Sequence, residues 1–362
     1  VWAEVLSDLK RGILKKSYAG GHEEMDKTPH ARHDLLPTGY HFGGIQTTRG
    51  CPLNCSFCSV GPFNGRKYRR RSNEDVVAEF RKIKEKHILI VDDNLIGTSA
   101  DHIERAKSLF RAMIEADLGK EWICQATINI ADDEELLKLA RKAGCIGAFI
   151  GFESTTEAGL AEVQKKYNIQ NNRDFKASVR RIQKQKISVA GSFIMGLDVD
   201  EPGIGVRIAD TADSYGVDFL NVLILTPLPG TRLWDKMEKE GRILSNSFPE
   251  DWKYYTLTLP VGRYKNFSRD EILGELETCV QRFYSVRGII HRVGRSLILR
   301  EHPFLVFAGN LSYRKNESLS QKVCDRFRGT LDRLPPAVSI PATGENLHVL
   351  GSNVNVRESS MK

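Results

Sequence analysis

The sequence predicts an α/β fold: a parallel sheet of six βα units curled into a partial (β/α)6 barrel, followed by a mostly helical C-terminal extension. Three observations predict it. From Gly44 to about Glu240, six short apolar runs alternate with six helix-like segments. The apolar runs are near-continuous rather than alternating, as in strands buried on both faces. Right-handed crossovers then wind the sheet, and the C-terminal strand ends form one rim, where parallel barrels place their chemistry. Six units are two short of a closed barrel, so the sheet is expected to stay open.

The first strand, Gly44 to Thr48, feeds directly into a cysteine-bearing loop. Asn73 reads as a helix N-cap, with Glu74 and Asp75 in the first turn of a helix to about Lys84. The second strand, His87 to Val91, ends in Asp92-Asp93-Asn94, and Ser99 caps a helix to about Ala116. Trp122 to Ile128 is the third strand; its helix, Asp132 to Ala143, stops at Gly144. The fourth strand, Gly147 to Phe152, ends in Glu153-Ser154 and leads to a helix from about Asn172 to Gln185. The fifth, Ile187 to Met195, runs into Gly196 and then a helix from Gly203 to Tyr215. The sixth, Phe219 to Leu225, ends in Thr226-Pro227 and is followed by a helix from Arg232 to Glu240.

Around this unit (44–245) the pattern changes. Residues 1–43 read as an N-terminal remnant and linker, with Gly20-Gly21, Pro29 and Pro37 in the polar stretch Ala19 to Tyr40. Residues 246–334 form the extension: Tyr254 to Leu259 as a short strand or plug, then helices at Arg269–Tyr284, Gly288–Leu299 and Glu317–Leu331. Residues 335–362 are polar and rich in Pro, Gly, Ser and Asn, the composition of a disordered tail. The chain opens on Val1 rather than Met, as a fragment of something longer would.

The chemistry concentrates in Cys51-Pro52-Leu53-Asn54-Cys55-Ser56-Phe57-Cys58. Three thiolates at C-x3-C-x2-C supply three corners of a cluster with four, because a cuboidal four-iron, four-sulfur cluster normally takes four cysteines. One iron is then left for a ligand that is not protein. A structural zinc site wants four ligands, usually in C-x2-C pairs; the remaining cysteines, Cys124, Cys145, Cys279 and Cys324, are single and scattered. An odd total of seven argues against a disulfide framework. No apolar run reaches bilayer-spanning length and no signal peptide is visible, so a reducing cytoplasm is the expected location.

The net charge is +7, and part of it sits in Arg66-Lys67-Tyr68-Arg69-Arg70-Arg71. This run reads as a solvated basic loop at the mouth of a site, slightly ahead of a nucleic-acid contact. His22, His30, His33 and His41 complete no ligand spacing, Cys145 and Cys279 read as buried thiols, and Gly203-Ile204-Gly205 lacks the third glycine of a dinucleotide fingerprint.

The cysteine run, with Phe57 before its last member, resembles the signature of radical S-adenosylmethionine (SAM) enzymes, and the resemblance covers about Gly44 to Arg242. It implies a [4Fe-4S] cluster on Cys51, Cys55 and Cys58, with the amino and carboxylate groups of SAM on the open iron. An electron then splits SAM to a 5′-deoxyadenosyl radical. The resemblance places Asp92-Asp93-Asn94 at the family's SAM-ammonium position and Glu153-Ser154 at the ribose or methionyl part. It places Ser192 and Gly196 at adenine, with Thr226 offering backbone atoms there; Gln125 is a weaker candidate facing substrate. Glu250-Asp251-Trp252, Pro260 to Tyr264 and Gln281 to Ser285 resemble the extension of the cobalamin-binding subgroup, which includes hopanoid methylases. That implies methyl transfer to an unactivated carbon of a small-molecule or lipid-like substrate, with a reducing donor such as flavodoxin or ferredoxin. Cobalamin is a third cofactor in that subgroup, but no D-x-H-x-x-G ligand motif occurs here. Radical modification of RNA, a non-catalytic electron-transfer or redox protein, and a degenerate fragment are the competing readings.

Overall fold

The structure, a computed structural model, describes residues 1–37, 39–169, 173–244, 247–299 and 302–316. Eight strands occur among them: β1 Phe42–Ile45, β2 Thr48–Arg49, β3 Arg69–Arg70, β4 His87–Ile90, β5 Glu121–Ala126, β6 Cys145–Glu153, β7 Ser188–Met195 and β8 Phe219–Ile224. Six form one sheet in the order β1-β4-β5-β6-β7-β8, every neighbour parallel. β2 and β3 pair with each other, antiparallel, Thr48 opposite Arg70 and Arg49 opposite Arg69. They close a loop over residues 50–68 that carries the three cysteines.

The expected first strand is therefore two pieces. Thr47 and Thr48 turn aside because Asp92, at the end of β4, takes their hydrogens: the Thr47 N–H at 2.5 Å, its hydroxyl at 2.6 Å and the Thr48 hydroxyl at 2.8 Å. The third strand stops at Ala126, and a 3-10 turn, Ile128–Asp132, follows. The Asn129 amide and the Thr127 hydroxyl both reach the Gly97 carbonyl there, which bends the chain away from the sheet. Ser72, one residue before the expected cap, accepts the Asp75 N–H. Two short helices, Glu157–Glu162 and Lys166–Ile169, sit in the connection after β6 where none was expected.

The core lies between the sheet and its crossover helices. Phe80, Phe110, Trp122, Phe152 and Phe193 are all nearly fully buried, each worth about 1.5–3 kcal/mol of transfer free energy. Phe152 stacks on Phe193 at 5.5 Å and meets Phe175 edge-on at 5.3 Å, fixing the helix Phe175–Lys184 against β6 and β7.

The stretch 19–40 lies along the barrel. Met25 is buried, the His33 Nε2 lies 2.8 Å from Glu79 Oε1, and the His30 Nε2 lies 2.7 Å from Asp75 Oδ1. At the other end, the helix Arg269–Phe283 packs on the helix Ile204–Tyr215. Glu275 accepts the N–H groups of Gly203 (2.6 Å) and Gly205 (2.8 Å), capping that helix from outside. A Cβ at Gly205 would stand 2.1 Å from the Glu275 carbonyl oxygen, so Gly205 serves the close helix approach. The segment expected as a strand or plug, Tyr254 to Leu259, is irregular: a 3-10 turn, Trp252–Tyr254, ends at its first residue, and its Leu257 carbonyl accepts the Ile224 N–H at the edge of β8. Helix Val286–Ile298 and a last helical stretch at 303–316 follow. The start of the expected helix at Asn172, the helix Glu317–Leu331, Cys324 and the tail from 335 lie outside the described residues.

Candidate active site

The C-terminal rim of the sheet opens into a cavity of about 550 Å³. Its walls come from the cysteine loop and from the ends of β4 through β8, so one concave face collects side chains from five strands. Cys51, Cys55 and Cys58 all line it, each half-buried and free of disulfides. Burial pushes all three thiols up, Cys55 to about 11. Among the described residues, no three His, Cys, Asp or Glu side chains converge closely enough to hold a single metal ion. Three soft thiol donors spread over one cavity wall, with no fourth cysteine there among the described residues, fit a polynuclear iron–sulfur cluster better than a mononuclear zinc. Phe57 lines the cavity and packs on the core, fixing the loop between Cys55 and Cys58.

The three residues after β4 diverge. Asp92 is fully buried beneath the site, and burial pushes its carboxyl up despite its threonine partners. Asp93 lines the cavity; its carboxylate accepts the Gly50 N–H at 2.9 Å and the Asn64 amide at 3.0 and 3.2 Å. Asn94 lines it too, with its amide 3.3 Å from the Thr127 hydroxyl.

Glu153 reaches the cavity through an irregular backbone. β6 shifts register against β7 between Gly151 and Glu153, and Glu153 has φ 68°, left-handed and costly for a side chain larger than glycine. The Lys165 ammonium meets it at 2.8 Å, with both side chains 9% exposed. Burial opposes the Lys165 charge, but Glu153 and the neighbouring thiols outweigh it and hold the ammonium well above its ordinary range. Lys165 is a charged cavity residue that sequence reasoning missed, as is Arg232. Lys165 stands in Val163-Gln164-Lys165-Lys166, which reads as solvated surface; the signal was the need of a buried Glu153 for a counter-charge.

Of the other expected residues, Ser192 and Gln125 line the cavity, and the Asn221 amide donates to the Ser192 hydroxyl at 3.3 Å. Three lie outside its lining. Ser154 accepts the Thr156 N–H, Gly196 (φ 96°) donates to Asp200, and the Thr226 hydroxyl donates to the Ile224 carbonyl. The basic run is not a uniformly solvated loop. Arg69 and Arg71 are buried, Arg69 donating to the Glu23 and Asn64 carbonyls and Arg71 bridging Asp75 and Glu79. Arg66, Lys67 and Arg70 are exposed: Arg66 lines the mouth of the cavity, Lys67 pairs with Glu24 and Arg70 with Asp101.

With this geometry stands a family match: residues 45–202 fit the radical SAM superfamily model. Among similar curated proteins, the hopanoid C-2 methylase of Rhodopseudomonas palustris is 27% identical over 73% of this chain and 49% of its own length. The hopanoid C-3 methylase of Methylococcus capsulatus is 30% identical over 58% of this chain and 39% of its own. The chain thus spans about half the length of the curated relatives it matches. The fold is similar to that of OxsB, a cobalamin-dependent S-adenosylmethionine radical enzyme, with a TM-score of 0.57 and 15% identity over 91% of this chain and 57% of that one. No helix among the described residues is long and apolar enough to cross a membrane.

Proposed function

We propose that this chain is a radical SAM enzyme that transfers a methyl group to an unactivated carbon of a lipid-like or other small-molecule substrate. The observation that carries the reading is the convergence of three cysteines, with no fourth among the described residues, on the rim cavity that also holds Lys165, Glu153, Asp93 and Asn94. Cys51, Cys55 and Cys58 would hold a [4Fe-4S] cluster. When bound, that cluster supplies the electron that cleaves SAM to methionine and a 5′-deoxyadenosyl radical.

The chain's own residues do the rest. Lys165 offers a buried positive charge to the carboxylate of SAM, and the Asn94 and Asp93 oxygens offer acceptors to its ammonium. Glu153 provides a further acceptor for ribose hydroxyls, and Ser192, fixed by Asn221, a small polar surface for adenine. Asp92, Ser154, Gly196 and Thr226 support these positions from behind, through hydrogen bonds within the rim. Gln125 faces the space left for substrate. Cobalamin would be a third cofactor by likeness to the subgroup, and none of these residues is proposed to hold it. The reaction asks for a low-potential electron donor, flavodoxin or ferredoxin in kind, and a reducing compartment such as the cytoplasm.

The test is electron paramagnetic resonance of the anaerobically reconstituted, reduced protein. The expected result is a cluster signal that changes when SAM is added, with 5′-deoxyadenosine as product. A signal indifferent to SAM would return the chain to electron transfer or redox sensing.

A further inference from the structure

We propose that Asp93 is a positioning residue that staples the two ends of the cysteine loop and so sets the three thiols for cluster uptake. Its carboxylate sits three residues past the end of β4. It takes the N–H of Gly50, the residue before Cys51, at 2.9 Å. It also takes the side-chain amide of Asn64, the last residue of the helix Val60–Asn64 that follows Cys58, at 3.0 Å and 3.2 Å. All three cysteines lie between those two contacts. The loop is further closed by the Cys51 N–H donating to the Gly65 carbonyl at 3.4 Å.

Acceptor capacity supports a staple that still leaves room for one further contact, such as the SAM ammonium. A carboxylate offers about four lone-pair directions; Gly50 and the two Asn64 contacts engage three of them. Asp92 does the same work one residue earlier in the chain, on Thr47 and Thr48. The two adjacent carboxylates thus anchor the chain from residue 47 to residue 64. Fixing the ends of a loop removes much of the entropy it would lose on wrapping a cluster, and groups that orient metal ligands from behind commonly carry about 10- to 100-fold in metal affinity.

The inference rests on the cluster reading, and the experiment separates the two. D93A, D93N, N64A and D93A/N64A are reconstituted anaerobically, and iron and sulfide per chain are measured at limiting iron. Amide exchange at Gly50 is followed in the metal-free proteins, with the Ile88 and Ile150 amides of the sheet as controls for folding. Expected are about 10- to 100-fold weaker iron uptake in D93A, a similar loss in N64A, and no further loss in the double variant. Gly50 exchange should rise in D93A while the sheet amides stay protected. D93N should retain uptake, because an amide oxygen still accepts from Gly50 and the Asn64 amide can turn to match it. D93A that loads iron as the parent does, with Gly50 exchange unchanged, overturns the staple. Loss of uptake in D93N equal to that in D93A also overturns it, since the charge and not the geometry would then matter. A parent protein that takes up no cluster fails the proposed function instead, and the Gly50 readout still decides the staple.

Discussion

Lys165 and Glu153 form a buried ion pair, Nζ to Oε1 2.8 Å, on the cavity wall shared with the three cysteines. Neither charge is stable there alone. Removing one partner of such a pair typically costs about 3–5 kcal/mol, while replacing both by neutral groups costs far less. K165M should therefore lower the unfolding free energy of the metal-free protein by about 3 kcal/mol, and E153Q/K165M should recover most of it. SAM binding to the reconstituted protein should respond differently, falling about 10- to 100-fold in both variants, the worth of one charge-assisted hydrogen bond. Urea unfolding beside SAM titration checks both; recovery of SAM affinity in the double variant would remove Lys165 from the SAM site.

The three cysteines should be inseparable in function. C51A, C55A and C58A are each expected to lose the intact cluster and all SAM cleavage, because two thiolates cannot hold the cube against iron loss. C124A, C145A and C279A, whose thiols are buried, should keep both and lose only the small packing contribution of a buried sulfur. SAM cleavage persisting in any of the first three would sink the assignment.

Most of the barrel was legible because its strands are largely apolar and its helices carry their own caps. Ser99, Asp133 and Thr231 all accept N–H groups of the first helical turns. The cysteine triad was legible for a different reason: its chemistry depends on local spacing alone. What stayed hidden depended on distant partners. Nothing near Lys165 announces Glu153, twelve residues earlier, and nothing in Arg69-Arg70-Arg71 announces that its outer two members are buried by the stretch 19–40 and the helix Asn73–Phe80. A charge run looks solvated until the segments that cover it are folded.

Gly50 makes the loop geometry testable without touching a ligand. It has φ 91°, and a Cβ there would lie 2.4 Å from the Lys67 carbonyl oxygen and 2.9 Å from that of Gly65. Both obstacles are backbone, so the loop itself must move. G50A should cost about 1–2 kcal/mol for the left-handed conformation alone, plus the displacement of Cys51. The expected outcome is a folded protein by circular dichroism with sharply reduced iron content. Iron content equal to the parent would show that the loop tolerates the shift.

Tyr284 ties the extension to the sheet. Its hydroxyl accepts the Leu220 N–H at 2.9 Å and donates to the Leu220 carbonyl at 2.8 Å, doing at the edge of β8 what a further strand would do. Tyr313 stacks on the ring at 5.5 Å. Burial pushes the Tyr284 phenol up strongly, so it stays a neutral donor at any working pH. Y284F keeps the stacking and strands both backbone groups, an expected loss of about 2–4 kcal/mol in denaturant unfolding. A loss below about 1 kcal/mol would mean that water replaces the hydroxyl.

Asp200 supplies a pH dependence with a definite sign. Its carboxylate accepts the N–H groups of Gly196 and Leu197, each at 2.9 Å through one oxygen. Burial nevertheless wins and pushes the carboxyl up to about 6. A carboxyl raised on folding holds its proton longer in the native state than in the unfolded chain. Its contribution to stability is therefore full below the unfolded value, 3.8, and is lost as pH rises through about 6. D200N removes that titration and keeps an oxygen for both N–H groups. The stability of D200N relative to the parent should accordingly rise by about 1–3 kcal/mol between pH 4 and pH 7 and stay level above. Urea unfolding of the metal-free proteins at several pH values reads this difference directly. A difference that stays flat, or falls, as pH rises would show that the two backbone donors overcome the burial and keep Asp200 ionised down to the ordinary carboxylate range.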